Sequence, residues 1–271
     1  MNEILNNIGI IYNPENIKSK NALDEVLSCF TSAGLKARPM PTDEIESDIT
    51  LAVVLGGDGS ILKTARYCSR FDIPIVGVNL GRLGFLSQSK LSELNKTIEC
   101  INSDDYRIEE RMMIKALDKI IALNDIVIRG NTFSRTSRLC VEINGQSVCE
   151  YLADGIIIST PTGSTAYTLS AGGPIIEPSL DAMVIIPICP HTMTARPLVI
   201  PSGEKVTIST AEKTRLRITA DGQKSLTVMS NTKVNIVRNE NKAKLLLLNS
   251  NSGAFYSVLR EKLYWGMSWK G

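Results

Sequence analysis

A single carboxylate stands among three glycines in the run Gly56-Gly57-Asp58-Gly59. Five apolar residues, 51–55, lead directly into this run, and apolar residues recur with helical spacing after it. The pattern predicts a buried strand, a sharp loop and a helix whose N-terminal amides suit a phosphate. Because a carboxylate there repels phosphate, Asp58 is expected either to accept a proton from an attacking hydroxyl or to cap the helix.

A second group of polar residues follows another predicted strand. In 153–174, ADGIIISTPTGSTAYTLSAGGP, the strand ends in hydroxyl residues around a glycine that opens a short helix at 163–170. These hydroxyls are expected to form a second polar cradle. Tyr167 has two interpretations, stacking on a base or packing against the protein.

Asn124 and Asp125 interrupt the apolar run 120–130. Polar residues of this kind are rare in strands, and neighbours in a strand point to opposite faces, so one of the two should face a buried or ligand-lined side. The alternative is a turn that breaks the strand at this dipeptide. Farther along, Asp221-Gly222-Gln223 predicts a hairpin turn.

Residues 1–105 alternate between predicted strands and helices. We expect strands at 8–14, 35–39, 51–55 and 73–80, with helices at 21–34 and from about residue 60. Nearly continuous apolar strands separated by helices are typical of a parallel sheet that is covered on both faces. The first domain is therefore predicted to be an α/β domain that carries the GGDG loop.

Residues 106–252 have a different pattern, a series of short strand-like runs separated by turn signals. This density of strands predicts a mostly β second domain. An apolar helical stripe at 253–266 predicts a C-terminal helix that packs back on a domain.

The dipeptide Asn144-Gly145 predicts a two-residue hairpin turn. Counting outward from this turn pairs residue 143 with 146 and places Cys140 opposite Cys149. In a reducing compartment we expect two apolar thiols, and a redox clip is the alternative.

Composition excludes several classes of function. Lys and Arg outnumber Asp and Glu by 30 to 28, so no global basic field recruits nucleic acid or an anionic membrane. No apolar run approaches the ~18 residues that span a bilayer, and the N-terminus lacks a signal-peptide pattern, so a cytoplasmic protein is expected. The six cysteines and the single His191 lack metal-ligand spacing, so we expect no metal held by protein ligands alone.

Five segments resemble the NAD kinase family in the same order: GGDGSILKTAR, GVNLGRLGFL, LNDIVI, ADGIIISTPTGSTAYTLSAGGPIIEPSLDA and PHTMTARPLVI. The GGDG motif alone is shared with diacylglycerol-type lipid kinases, whereas the long fourth segment is much more specific. The resemblance covers most of the chain, from about Ile8 to Trp265. It implies transfer of the terminal phosphoryl group of a nucleoside triphosphate such as ATP to the 2′-hydroxyl of the adenosine ribose of NAD. The product is NADP, and a divalent metal such as Mg²⁺ takes part.

The resemblance also implies roles for particular residues. Asp58 falls on the general base of the family, and Asn124 and Asp125 fall on an Asn-acidic pair that contacts the adenosine half of NAD. Asp125 replaces the commoner glutamate, which keeps the charge but shortens its reach. Further implied positions near the dinucleotide and phosphates are Gly57, Gly59, Lys63, Arg135, Asp154, Thr162, Thr165, Ala166, Tyr167, Thr168, Leu169, Ser170 and Gln223.

The family resemblance implies a homodimer or homotetramer in which a neighbouring subunit completes the active site. It leaves open the phosphoryl donor, the acceptance of NADH, the choice between dimer and tetramer, and allosteric regulation. Two other functions are considered, a GGDG-type kinase of a lipid or another small alcohol and a non-catalytic NAD(P) sensor. A lipid substrate calls for an apolar entry surface or a basic membrane-facing cluster, and the sequence shows neither.

Overall fold

The computed structural model describes residues 3–81, 84–87, 89–130, 136–249 and 254–263. The chain forms two compact units, the first from residues 1–110 and 243–271 and the second from residues 111–242. Within the described ranges, no helix is both long and apolar enough to cross a membrane.

The helices and strands are as follows. The strands are β1 (Ile8–Tyr12), β2 (Ala37–Pro41), β3 (Leu51–Leu55), β4 (Ile75–Asn79), β5 (Ser89–Lys90), β6 (Tyr106–Arg111), β7 (Ile114–Ala116), β8 (Ile120–Ala122), β9 (Asp125–Gly130), β10 (Ser137–Ile143), β11 (Gln146–Ala153), β12 (Gly155–Ser159), β13 (Ala182–Ile188), β14 (Leu198–Pro201), β15 (Val206–Ser209), β16 (Leu216–Ala220), β17 (Lys224–Val228), β18 (Val234–Arg238) and β19 (Ala243–Leu248). The α-helices are α1 (Ile17–Ser32), α2 (Asp58–Cys68), α3 (Leu94–Asn102), α4 (Tyr167–Ser170) and α5 (Ala254–Leu263). Short 3-10 helices lie at Glu3–Leu5, Leu91–Glu93 and Thr162–Thr165.

The first unit is built around one seven-stranded sheet of order β2-β1-β3-β4-β19-β6, with β5 also beside β4. Strands β1 to β5 and β19 pair in parallel. Val26 and Phe30 of α1 pack with Ile98 of α3 on one face. Ile61 of α2 covers the other face, where a Cβ on Gly77 would lie 2.4 Å from Ile61 Cδ1. The predicted α/β domain with a doubly covered parallel sheet is confirmed.

Helix α1 begins four residues before the predicted start at 21. Asn16 is the reason, because its side chain accepts hydrogen bonds from the amides of Lys18 and Ser19 and so satisfies two free donors of the first turn. The helix ends just before Gly34, whose φ of +73° suits glycine.

The second unit is a pair of six-stranded sheets, of order β11-β10-β15-β18-β7-β8 and β14-β13-β12-β9-β16-β17. Its strand pairs are antiparallel. Alternate residues of both sheets form one core, for example Ile126 and Ile128 of β9 with Val206 and Ile208 of β15. The mostly β character predicted for the second domain is confirmed.

Strands β6 and β19 lie in a different place from the one expected. Both fall within the predicted second domain, residues 106–252, whereas they pair in the sheet of the first unit. Strand β19 returns to the parallel sheet beside β4, where Leu245 pairs with Ile75. Its run of four leucines, 245–248, is buried throughout, which is typical of a central parallel strand.

The predicted register of the β10–β11 hairpin is wrong beyond its first two pairs. A bulge between Val141 and Glu142 shifts the register, so Cys149 pairs with Val141 and Cys140 pairs with Glu150. Cys149 packs against the core, while Cys140 alternates with the core residues of β10 and points to the other face. All six cysteines are free. The bulge therefore removes the geometry that a redox clip would need.

The run 120–130 is two strands rather than one. Strand β8 ends at Ala122 in one sheet, and β9 begins at Asp125 in the other. The strand-breaking alternative is therefore confirmed, and the break lets the chain cross from one sheet to the other. Asp125 nevertheless faces a cavity, as the first interpretation also required.

Candidate active site

The GGDG loop connects β3 to α2. Gly57 is the N-cap residue of α2, and no side chain caps this helix. The Asp58 carboxylate instead reaches the segment after β4, where Oδ2 accepts a hydrogen bond from the Phe85 amide at 2.8 Å and Oδ1 accepts one from the Leu86 amide at 3.2 Å. The capping alternative is therefore wrong. Two amides hold a half-buried carboxylate in one orientation.

Gly84 allows the segment after β4 to lie against Asp58. A Cβ on Gly84 would be 1.8 Å from Asp58 Oδ1 and 2.4 Å from Asp58 Cγ. The Gly84 amide also donates to Ser87 Oγ at 2.8 Å, which fixes the turn from inside. The glycine in the GRLGF run thus has a steric role beside the carboxylate that sequence reasoning did not assign.

Lys63 lies on α2, one turn beyond the loop. Its Nζ lies 2.7 Å from Asp43 Oδ1, and both side chains are partly exposed to water, 38% and 75%. Ion pairs this exposed stabilise a fold little, because water competes for both charges. The ammonium is therefore free to leave Asp43 and bind a phosphate. The role of Lys63 near the phosphates stays a prediction.

The second unit contains a cavity of about 560 Å³. The cavity lies on the face of the β9–β16 pair that points away from the core. Among the strand residues that line it, Val127, Arg129, Thr219 and Arg217 alternate with core residues. Four predicted site residues also line it, namely Asn124, Asp125, Ala166 and Tyr167. Gly130, Asp221 and Gly222 complete the lining.

Asp221 is a site residue that sequence reasoning missed. It begins the β16–β17 turn with φ +50°, and Gly222 follows with φ +66°, so the predicted hairpin turn is confirmed. The Asp221 carboxylate accepts hydrogen bonds from three successive amides, those of Leu123 at 3.2 Å, Asn124 at 2.8 Å and Asp125 at 3.4 Å. This one side chain therefore positions the Asn124-Asp125 segment.

Asp125 is 4% exposed and lies near the Asp221 carboxylate. Burial, with a smaller contribution from repulsion by Asp221, raises the pKa of the Asp125 carboxyl from 3.8 to about 7. Near neutral pH this group therefore exchanges between a hydrogen-bond donor and a charged acceptor. Either form can pair with a ribose hydroxyl or a base edge.

Tyr167 forms a wall of the cavity rather than part of the core, because 36% of its surface is exposed. The Arg129 guanidinium donates a hydrogen bond to the Tyr167 hydroxyl and lies 5.7 Å from the ring centroid. The ring therefore packs against Arg129 and is also accessible from the cavity. Stacking on a base stays a prediction.

Most hydroxyls of the segment 159–165 form hydrogen bonds that attach this segment to neighbouring parts of the protein. Thr160 Oγ1 donates to the Leu123 carbonyl at 2.6 Å, and Ser164 Oγ donates to the Ile176 carbonyl at 3.1 Å. Thr162 Oγ1 accepts a hydrogen bond from Arg111 at 3.3 Å. The predicted hydroxyl cradle is thus largely an internal scaffold that presents Ala166 and Tyr167 to the cavity.

The other predicted residues of the second unit do not line the cavity. They are Asp154, Thr162, Thr165, Thr168, Leu169, Ser170 and Gln223. Asp154 is half-buried between β11 and β12, and Gln223 is exposed in the β16–β17 turn. Arg135 lies outside the described residues.

The potential metal donors of the described residues are scattered. Among the residues described, no group of three or more His, Cys, Asp or Glu side chains lies close enough together to hold a metal ion. Asp125 and Asp221 form a pair of carboxylates without a third such donor, and the Asp221 oxygens are already engaged by amides. This geometry does not suit a resident metal.

Comparison with known proteins matches both units to one family. The ATP-NAD kinase N-terminal domain model matches residues 12–106, and the ATP-NAD kinase C-terminal domain model matches residues 123–248. The NAD kinase of Moorella thermoacetica is 43% identical over 224 residues, covering 80% of this chain and 71% of that protein. The NAD kinase of Caldanaerobacter subterraneus is 39% identical over 254 residues, covering 90% and 88%.

Solved structures share the fold. An NAD kinase from Archaeoglobus fulgidus in complex with ATP superposes with a TM-score of 0.81 at 23% identity, covering 94% of this chain and 98% of that one. A yeast NADH kinase complexed with NADH superposes with a TM-score of 0.84 at 24% identity, covering 98% and 89%. The two superpositions show that these proteins share the two-domain fold of this chain.

The curated relatives decide between the three functions considered from the sequence. All those described above are NAD kinases, and none is a lipid kinase or a binding protein without activity. The predicted phosphotransferase activity, that of an NAD kinase, is therefore confirmed, and the two alternatives have no support. The chain belongs to the ATP-NAD kinase family.

Proposed function

We propose that this protein transfers the terminal phosphoryl group of ATP to the 2′-hydroxyl of the adenosine ribose of NAD, with Asp58 as the general base. The O–P bond to the ribose forms as the bond to the leaving ADP breaks, and the hydroxyl proton passes to the Asp58 carboxylate. NADP and ADP leave, and the proton returns to solvent.

The orientation of Asp58 is the observation that carries this proposal. Its two oxygens accept hydrogen bonds from the Phe85 and Leu86 amides, which leaves further lone pairs on both oxygens for an incoming hydroxyl. The N-terminus of α2, with Gly57 and Gly59, and Lys63 next to it suit phosphate oxygens.

The cavity of the second unit suits the adenosine half of NAD. Asn124 and Asp125 offer hydrogen-bonding groups to ribose and base, and Tyr167 offers an aromatic face. We extend the binding site to the residues of the same segments that the family resemblance implies. These are Arg135, Asp154, Thr162, Thr165, Ala166, Thr168, Leu169, Ser170 and Gln223.

The divalent metal enters this proposal as part of the triphosphate substrate. Mg²⁺ commonly binds through substrate phosphates and few protein carboxylates, which agrees with the donor set described above. We also propose a homodimer or homotetramer that completes the site, and a cytoplasmic location, in which six free thiols are the expected state.

Replacement of Asp58 tests the proposed function. In Asp58→Asn we expect the kcat of NADP formation from ATP and NAD to fall by about 10²–10⁴-fold, because the amide accepts no proton. The Kd of NAD should stay close to that of the wild type. Asp72→Asn is the matched control, since Asp72 is an exposed residue of the same unit that pairs with Lys244. Near-normal turnover in Asp58→Asn would contradict the base assignment, and absence of NADP formation by the wild type would contradict the function.

A further inference from the structure

Arg129 and Arg217 are direct neighbours across the antiparallel pair β9–β16. Residues directly opposite each other in such a pair project from the same face, and both of these line the cavity. Like charges in this arrangement destabilise a sheet. A local arrangement that works against stability is often found at a binding site.

Neither guanidinium is neutralised by a carboxylate in the part of the chain that the structure describes. Arg129 donates to the Tyr167 hydroxyl, and Arg217 lies 3.4 Å from Ser225 Oγ. Both partners are neutral, so two positive charges remain side by side at the edge of the cavity. The positions suit an anion that accepts hydrogen bonds from both.

The cavity has opposite charges at its two ends. Along the strand pair, the facing residues are Asp125 with Asp221, Val127 with Thr219 and Arg129 with Arg217. Four residues of strand separate the acidic pair from the basic pair, which corresponds to about 13 Å. This length suits a nucleoside over the neutral middle, with hydroxyl or amino groups toward the carboxylates and a phosphate toward the arginines.

We propose that Arg129 and Arg217 form a phosphate subsite that binds a phosphate group attached to adenosine and so sets the direction of the dinucleotide in the cavity. This inference rests on the proposed function, because it takes NAD and NADP as the ligands. Two planar guanidinium groups present forked donors that match phosphate oxygens. The contact with Tyr167 orders Arg129 before the ligand arrives, which lowers the entropy lost on binding.

Binding measurements on Arg217→Gln test the subsite. We expect the Kd of NADP to rise about tenfold, since a hydrogen bond to a charged group is lost. The Kd of adenosine should not change. Arg217→Lys keeps the positive charge but not the forked guanidinium donors, so it should recover part of the lost affinity for NADP. Lys205→Gln removes an exposed positive charge just before β15, a strand of the other sheet, and this variant should bind every ligand like the wild type. Thermal unfolding shows whether each variant is folded.

Two mononucleotides distinguish the source of the phosphate. If Arg217→Gln loses affinity for 5′-AMP alone, the subsite binds the pyrophosphate side of the dinucleotide. If it loses affinity for 2′-AMP alone, the subsite binds the 2′-phosphate of the product. Either outcome supports the subsite. An equal loss for adenosine, or wild-type affinity of folded Arg217→Gln for NAD, NADP and both mononucleotides, would overturn it.

Wild-type NADP formation, measured in parallel, separates this inference from the proposed function. An active wild type with unchanged nucleotide binding in Arg217→Gln contradicts the subsite alone. A wild type that forms no NADP contradicts the function, and the binding series still reports on the arginines.

Discussion

The Asp221 carboxylate accepts a hydrogen bond from the Asn124 amide at 2.8 Å across 97 residues of sequence. Asn124 lies where the chain crosses from one sheet to the other, and its amide and those of Leu123 and Asp125 need acceptors. The turn after β16 supplies an acceptor for them. The shape of the cavity in the second unit therefore depends on a residue of a hairpin turn.

We expect Asp221→Asn to weaken both NAD binding and stability. The amide keeps one acceptor oxygen, but its NH₂ group faces donors, which leaves a backbone amide unpaired. The cost is about 1–3 kcal/mol in the free energy of unfolding, which urea denaturation measures. Asp118→Asn is the control, because Asp118 also has positive φ, +52°, in an exposed turn. An Asp221→Asn protein with wild-type stability and NAD affinity would remove this positioning role.

Asp125 should make the protein less stable as pH rises from about 4 to 7. In this range the folded protein keeps a proton on Asp125 that the unfolded chain has released, because its pKa is raised from 3.8 to about 7. The unfolded state then binds fewer protons, so the free energy of unfolding falls with pH by at most about 1.4 kcal/mol per unit and levels off above pH 7. Urea unfolding of the wild type and Asp125→Asn across this range isolates the effect. The same slope in both proteins would contradict it.

Gly84→Ala should reduce turnover by displacing Asp58. The added methyl group would lie 1.8 Å from Asp58 Oδ1, so either the carboxylate or the segment after β4 must move. A displacement of this size costs about 10²-fold in kcat, while the Kd of NAD should change little. Gly81→Ala is the control, since its nearest neighbour would be Asn79 Oδ1 at 3.8 Å. Equal turnover in the two variants would show that the segment does not position Asp58.

Mild oxidation should not join Cys140 to Cys149. The two side chains point to opposite faces of β10–β11, and burial, the largest cause in each case, raises the pKa of both thiols, which lowers the thiolate fraction. Peptide mass spectrometry after diamide treatment should find no peptide linked through this pair. A linked peptide in the wild type that disappears in Cys140→Ser would show that the hairpin changes register in solution.

The sequence by itself determined the order and type of most elements near the site. The apolar run 51–55 and the glycines after it were sufficient to place a strand, a loop and a helix at Asp58, because burial and backbone freedom act locally. Asp221-Gly222 was recognisable as a turn for the same reason. Family resemblance then identified Asn124, Asp125, Ala166 and Tyr167, which the structure brings to one cavity.

Only the tertiary structure decided which groups these residues contact. The amides that orient Asp58 lie 27 and 28 residues away, and those that engage Asp221 lie 96 to 98 residues away. Strand register likewise set the pairing of Arg129 with Arg217 and separated Cys140 from Cys149. Local propensity cannot encode such contacts, because hydrogen bonds and charge pairs between distant segments form only when the sheets assemble and one bulge can change their partners.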